Sequence, residues 1–419
     1  MPDGRLWFSD FNPISGMEQN SFLFQQGARV GFSHRELLRF ILKNACARYG
    51  LKFPEKNREE VVKKKEVKVL FGGATSERQV SLMSGTNAWL KLRRSKKYSP
   101  KPYLLDLQNN VWELPYALTL NHTVEEIMAN CLNAERDEKR LKFLEEKVRL
   151  RLCEAGDEKF FVSQKIDLKK FIKESEFIFL GLHGGDGENG VIKKMLDDHK
   201  VKFNGSSSTS SHICMDKFET GQKLSGMEKD GIFVAPKLSL PLKKIKSWKE
   251  ICEKLGTKNI IVKPQGDGCS SGIVRLVSAA DLEEYLSIVK CGAPQIPPGT
   301  FKSQGGIVDL PLKKMDGLLF EKFIETDTIR AVGNKLKYKK KSGFVEVTVA
   351  VLEVAGKMRA LSPSMTVAES AVLSVEEKFQ GGTGINVTPP SEEIVSRAAL
   401  QKTKKSIEKV AEKIGLKGY

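Results

Sequence analysis

The chain has 419 residues, 40% apolar and 8% aromatic. That is enough to bury a core in roughly two or three domains, and too apolar for a disordered protein. No apolar run approaches the ~20 residues of a membrane span and the start, MPDGRLWFSDF, has neither a secretory nor a transit-peptide layout, so no membrane partner is expected; the formal charge of +17 is dispersed over Lys63–Lys65, Lys91–Lys97 and Lys335–Lys341 without a zinc-finger, RNP-like or basic-zipper pattern, which favours solvated faces that attract phosphorylated small molecules over nucleic acid.

Residues 1–50 read as a strand, a break at Asn12–Gly16, an amphipathic stretch from Ser21 and a helix over HRELLRFILKNACARY. Residues 51–66 are charged and contain Pro54, as an inter-domain linker would. VKVLFGG from Val67 is a short buried strand running into Ala74–Ser81, where Ser76 and Gln79 have capping-box spacing. A helix starting there directs its N–H groups off the strand's C-terminal end, the place where open α/β sheets bind ligands. PYLLDL (102–107) is the next strand, and 123–152 is a helix with a heavily charged face.

EFIFLGL (176–182) is a buried strand that delivers His183, Asp186 and Glu188 among four glycines, followed by the helix VIKKMLDD. Glycines at that density suit a close approach of backbone and ligand. VKFNGSS and a helix from about Ser211 through Lys217 close the first α/β unit. A strand at 232–236, a helix at 247–255, a strand pair and a helix at 279–290 form a second.

The strand pair, Ile260–Val274, is the centre of the chain. An apolar run ends in Lys263, and a loop of three glycines and small polar residues, including Cys269 and Ser270, precedes the next apolar run. Consecutive N–H groups in such a loop make a nest for anionic oxygens, and Lys263 adds a point charge for a phosphate. CGAPQIPPGTFKSQGG (291–306) is loop-like. In the strand 317–324, Glu321 and Lys322 interrupt an apolar run, which is costly unless they meet partners. VEVTVAVLEV (345–354) alternates like a half-buried strand, FQGGTGINVTPP (379–390) reads as an exposed flap, and 396–415 is a closing helix. Seven cysteines without CxxC spacing argue against a disulfide framework or a zinc site, and favour a reducing compartment.

In order, these stretches resemble the D-alanine–D-alanine ligases of the ATP-grasp superfamily. GGATSERQVSLMSG is similar to the family's GG-x-S-x-E-x-x-VS element, LHGGDGENG to LHG-x-x-GEDG, and GSSSTSSHICMDK to TGS…SA…MDK. VKPQGDGCSSGI is similar to VKP-x-x-x-GSS-x-G, FEKFI to the adenine hinge, and SVEEKFQGGTG to the Y-x-x-KY loop. Residues 1–50 resemble the end of such a ligase, so the chain reads as a fragment of a tandem, plant-type fusion.

The resemblance implies an open α/β substrate domain at 67–205 followed by an ATP-grasp fold of two subdomains, 206–316 and an incomplete 317–419. Residues 1–50 would be the tail of a preceding copy and 51–66 a linker. It implies ATP and Mg²⁺, D-alanine as substrate, and either a second copy of the chain or the preceding copy as protein partner. Lys217 and Lys263 would bind ATP phosphates, with Cys269 and Ser270 capping them. Glu321, Lys322 and Ile324 would line the adenine site, and Glu346 would hold the ribose. Glu188 and Lys378 would tie down the flap. Glu77 would hold the first D-alanine's ammonium, with Ser81, His183 and Phe379 beside it. Ser21 would take the second substrate's carboxylate, and Asp10 with Asn12 would hold magnesium.

Four departures separate the chain from that pattern. Cys269 stands for the first serine of GSS, Phe379 for a tyrosine, and Asn189 for the aspartate of GEDG, while the family's Arg-x-Asp strand has no counterpart before Tyr419. Two readings stay open at this point: an ATP-dependent ligase, active when complete or with residues 1–50 in the place of the missing strand, and a catalytically incomplete nucleotide-binding copy that supports another ligase domain.

Overall fold

The computed structural model describes residues 10, 13–54, 63–152, 156–266, 270–302, 304, 306–311, 315–332, 335–367 and 385–419. They form two compact units, one of 1–74 with 81–182 and one of 75–80 with 183–419.

The first unit opens with two helices, α1 (Phe22–Arg29) and α2 (His34–Arg48). A capping box starts α2: Ser33 Oγ accepts from the Glu36 amide, and the Glu36 carboxylate accepts from Ser33 N at 2.7 Å. Phe24 and Ala28 of α1 are buried in the same cluster as Val69, Phe71, Trp89, Leu104 and Trp112. His34 stacks on Phe24 at 4.0 Å and shares a 2.5 Å hydrogen bond with Tyr116 Oη. The segment that the resemblance assigns to a preceding copy thus packs into this unit's core.

Replacing Ser33 with alanine should therefore cost about 0.5–2 kcal/mol, the usual loss for an N-cap. Amide exchange checks it: protection should fall together in α2 and in the buried strand below. Unchanged protection of that strand would mean the helices ride loosely.

That strand, β1 (Lys65–Gly72), is parallel to β2 (Tyr98–Leu105), with Val69 opposite Pro102. The remaining elements are α3 (Arg78–Leu92), β3 (Asn110–Glu113), α4 (Val124–Leu152), β4 (Lys165–Asp167), α5 (Leu168–Lys173) and β5 (Phe177–Leu180). Within the unit the strands lie in the order β4-β3-β2-β1-β5, with β1–β5 parallel and the β3 pairings antiparallel. β1 is central and its last four residues are all buried, as a strand covered on both faces must be.

The second unit contains α6 (Val191–Asp198), α7 (Ser208–Met215), α8 (Lys217–Leu224), β6 (Lys237–Pro241), α9 (Trp248–Leu255), β7 (Ile260–Pro264), β8 (Val274–Leu276), α10 (Ala279–Cys291) and β9 (Gly317–Lys322). The four strands make an antiparallel sheet in the order β6-β9-β7-β8.

The strand expected at 232–236 lies instead at Lys237–Pro241. Ile232–Val234 have the right composition, but Phe233 is 78% exposed. The hydrogen-bonding edge of β9 meets Lys237 to Pro241, so pairing overrides local pattern. Of the alternating stretch 345–354, only Val351–Val354 pairs as a strand, with Lys357–Ala360, and Thr348 makes a single bridge to Ser364.

The lysine-rich 325–342 folds as a hairpin, β10 (Thr328–Val332) with β11 (Lys335–Lys339). Asp327 closes it by accepting from Tyr338 Oη and from the amides of Lys341, Ser342 and Gly343 at 2.7–2.8 Å. The tyrosine hydroxyl and these amides hold its carboxyl well below the usual range. The closing helix α11 (Arg397–Ile414) is capped by Ser396 and ends at Gly415 in the left-handed region, as expected.

Candidate nucleotide and substrate sites

Two groups of the expected residues come together in the second unit. The first surrounds His183. Thr75 Oγ1 donates to the His183 carbonyl at 2.9 Å, and His183 Nδ1 lies 3.6 Å from Glu188 Oε1. Gly184 has φ +69° and a Cβ there would sit 2.7 Å from Glu77 Oε2, so only glycine lets the buried Glu77 carboxylate approach this backbone. Glu77 and Glu188 thus bring two carboxylates to the backbone around Gly184, with the His183 imidazole and the Lys193 ammonium acting on Glu188.

Partial desolvation pushes the Glu188 carboxyl up although its side chain is 45% exposed, the charge of Glu77 adds to it, and His183 opposes, so the effect on stability is small. Lys193, three residues into α6, donates to Ser211 Oγ at 2.7 Å, and burial lowers its ammonium's pKa. Asn189, which stands where the family has aspartate, donates to Asp186 Oδ1 at 3.1 Å and accepts from Val191 N at 3.0 Å. An aspartate at 189 could do only the accepting half.

The raised pKa has a sign that can be measured. The folded protein binds the Glu188 proton more tightly than the unfolded chain, so ionised Glu188 costs stability at neutral pH. That cost fades as pH falls through the raised pKa and is gone below the ordinary 4.5. Glu188→Gln should therefore raise the melting temperature at about pH 7 and leave it unchanged at about pH 4. A melting temperature that is equal or lower at neutral pH would contradict the assignment.

The second group stands on one face of the β6-β9-β7-β8 sheet. Antiparallel partners project to the same side, and the register sets Lys237 opposite Glu321, Ser239 opposite Leu319, and Leu319 opposite Lys263. The alternate residues Leu238, Leu240, Ile260, Val262, Leu318 and Phe320 belong to the apolar cluster with Ile251, Leu255, Leu282 and Tyr285. One face is thus core and the other carries charge. Glu321 meets the partners that its cost in an apolar run demands: Lys263 pairs with Oε2, and Lys237 Nζ lies 3.3 Å from Oε1. All three side chains are only 15–17% exposed.

Around this triad the backbone is tied to the first turn of α8. Asp216 caps that helix through Phe218 N and Glu219 N at 2.8 and 2.9 Å, and its other oxygen accepts from Gln265 Nε2 at 2.6 Å. Ser239 Oγ donates to Gln265 Oε1 at 2.5 Å, Lys217 N donates to the Gln265 carbonyl at 3.2 Å, and Lys237 Nζ donates to the Lys217 carbonyl at 3.2 Å. The structure therefore brings the backbone of Lys217 beside the paired side chains of Lys263 and Glu321. Ser270 follows in the left-handed region, φ +59°, at the far end of the glycine-containing loop.

Other expected residues lie outside these two groups. Lys322 and Glu346 are exposed and Ile324 is 47% exposed. Ser81 is fully buried: its hydroxyl accepts from Gly72 N at 2.8 Å and donates to the Gly181 carbonyl at 3.0 Å, pinning β1 to the segment after β5. That hydroxyl is spent on the fold. Ser21 Oγ is buried and has no hydrogen-bond partner among the described residues. Asp10 is exposed, while Asn12, Cys269, Lys378 and Phe379 lie outside the described residues. Among the described residues no group of three or more His, Cys, Asp or Glu is placed to hold a metal ion.

Sequence reading missed Lys237, Ser239, Asp216 and Gln265. The signal for the first two was present: in KLSLP the polar residues alternate with leucines. Placing the strand five residues early hid it.

Residues 66–206 match the family model described as the D-ala D-ala ligase N-terminus. The chain is 29% identical over 232 residues to the D-alanine–D-alanine ligase of Pediococcus pentosaceus, covering 53% of this chain and 58% of that protein. It is 26% identical over 228 residues to that of Leptospira interrogans, covering 54% and 57%. These matches span less than two thirds of the relatives' own lengths. Among solved structures, a D-alanyl-alanine synthetase A from Vibrio cholerae superposes with a TM-score of 0.52 at 14% identity, covering 85% of this chain and 83% of that one. The VanG D-Ala:D-Ser ligase from Enterococcus faecalis does so with a TM-score of 0.52 at 16% identity, covering 85% and 84%. Residues 66–206 are thus similar to the N-terminus of the D-alanine–D-alanine ligases, and the fold over 85% of the chain is similar to that of these solved proteins.

Proposed function

We propose that the chain is an ATP-dependent carboxylate–amine ligase that joins D-alanine to a second D-amino acid through an acyl phosphate. The observation that carries this reading is the charged sheet face, where two lysines grip one carboxylate beside the backbone of a third lysine, Lys217, and a loop rich in glycine. A face with surplus positive charge, fixed on strands, is suited to polyphosphate oxygens.

A carboxylate is a poor electrophile because its leaving group would be an oxide or hydroxide. Transfer of the γ-phosphoryl group to a D-alanine carboxylate oxygen, with ADP leaving, supplies a good one. Attack by a second amine then expels phosphate, and the amine loses a proton. Catalysis here is positioning and charge neutralisation. Lys217 and Lys263 hold phosphate oxygens, and Glu321 borders the base. Glu77 and Glu188 take the first D-alanine's ammonium, which fixes its carboxylate relative to the nucleotide. Ser21, whose buried hydroxyl has no hydrogen-bond partner among the described residues, would take the second substrate's carboxylate. Mg²⁺ would neutralise phosphate charge, but Asp10 is the one described member of its expected pair and no step is derived through the ion.

The test is release of ADP and phosphate from Mg-ATP with and without D-alanine, at high enzyme concentration, with the dipeptide identified. D-alanine-dependent release with D-alanyl-D-alanine supports the ligase, and D-serine incorporation would change the second substrate. No release, with ATP-dependent protection against thermal unfolding, would replace it by a nucleotide-binding copy.

A further inference from the structure

Lys237 is the residue on the charged face to which nothing above assigns a role. It is one strand away from Lys263, and the two ammoniums divide a single carboxylate: Lys263 takes Glu321 Oε2 and Lys237 stands 3.3 Å from Oε1. Its Nζ also donates to the Lys217 carbonyl at 3.2 Å, so it binds the strand to the first turn of α8. A Lys263 ammonium paired with Glu321 keeps N–H donors for a phosphate, but turning toward one loosens its contact with a carboxylate that is only 15% exposed. A carboxylate so placed is expensive to strand without a cation.

We propose that Lys237 is a positioning residue that retains Glu321 when Lys263 turns to the nucleotide's phosphates. With Lys237 present, Glu321 keeps one cation on Oε1 after Lys263 departs, and the net charge of the trio, two lysines against one glutamate, leaves one positive charge to meet the triphosphate. Without it, every phosphate contact by Lys263 exposes an uncompensated carboxylate. Lys263 then stays where it is. Lys237 need not touch the nucleotide to set the affinity for its phosphates.

This rests on the nucleotide reading above, and the test separates the two. Equilibrium binding of ATP and of adenosine is measured by calorimetry in the wild type, in Lys237→Met, in Lys237→Gln, and in Lys237→Met combined with Glu321→Gln. The quantity read is the ratio of ATP to adenosine affinity, which cancels any effect of Glu321 on the base. Loss of the retained charge should lower that ratio about 10- to 100-fold in Lys237→Met, the size of a charge-assisted hydrogen bond. The double variant should recover most of it, because a neutral amide no longer holds Lys263.

Lys237→Gln, which can still donate to the Lys217 carbonyl, should show the same fall as the methionine variant and guards against a folding defect in it. Equal weakening of ATP and adenosine, or no recovery in the double variant, would make Lys237 a merely structural link and overturn the inference. A wild type that binds neither ligand would remove the nucleotide reading itself, and this inference with it.

Discussion

Replacing Lys263 with methionine is expected to lower D-alanine-dependent phosphate release from ATP by about two to three orders of magnitude, the usual loss when one preorganised charge is removed from a site of developing charge. Methionine keeps the unbranched stem and much of the volume, so the change is mainly one of charge. Lys263 sits in β7, paired on one side to β9 and on the other to β8, with its side chain 17% exposed. Once its ammonium has turned to the phosphates, the paired strand holds its backbone fixed as the phosphoryl group moves, so its removal is expected to be felt in the transition state. Folding should change much less, since Glu321 keeps Lys237 at 3.3 Å. The check is turnover together with the denaturation midpoint. Release within about threefold of wild type, in an otherwise active enzyme, would remove Lys263 from the phosphate position.

Phe320→Ala is expected to destabilise the second unit by about 3–5 kcal/mol, the range for emptying an aromatic position in a packed core. Phe320 is fully buried in the middle of β9, between β6 and β7, and packs in the apolar cluster with Ile251, Leu282 and Tyr285. It has no room to relax sideways, because both neighbouring strands are hydrogen-bonded to its own. The adjacent residue is Glu321 on the opposite face, so a shift in β9 also moves the carboxylate that organises Lys237 and Lys263. Urea denaturation should show a lower midpoint with an unchanged slope. A loss below about 1 kcal/mol would mean that this layer is not packed as described.

The element types along the chain were largely legible because their periodicities differ. The helices at 34–48, 191–198, 248–255 and 397–414 carry apolar spacing, the first and the last two behind serine caps, and β1, β5 and β9 carry short apolar runs. Where the local pattern was ambiguous the reading failed. Ile232–Val234 look like a strand, yet Lys237–Pro241 forms one, because only the latter meets the free edge of β9. The lysine-rich 325–342 gave no sign of a hairpin, since its pairing depends on Asp327 gathering amides from fourteen to sixteen residues away along the chain.

Residue types and order alone carried the resemblance to the ligase family, the charge-bearing loop at 260–274, and the candidacy of Glu77, His183, Glu188, Lys217, Lys263 and Glu321. A ligand for phosphate or ammonium must carry the opposite charge, and that is written in the residue itself. Only the tertiary structure decided which of these charges meet. It joined Lys263 to Glu321 across neighbouring strands, added Lys237 from a third, and spent Ser81 on holding two backbone segments together. Those outcomes follow from strand register and side-chain direction, which relate residues far apart in the chain and so leave no trace in local sequence.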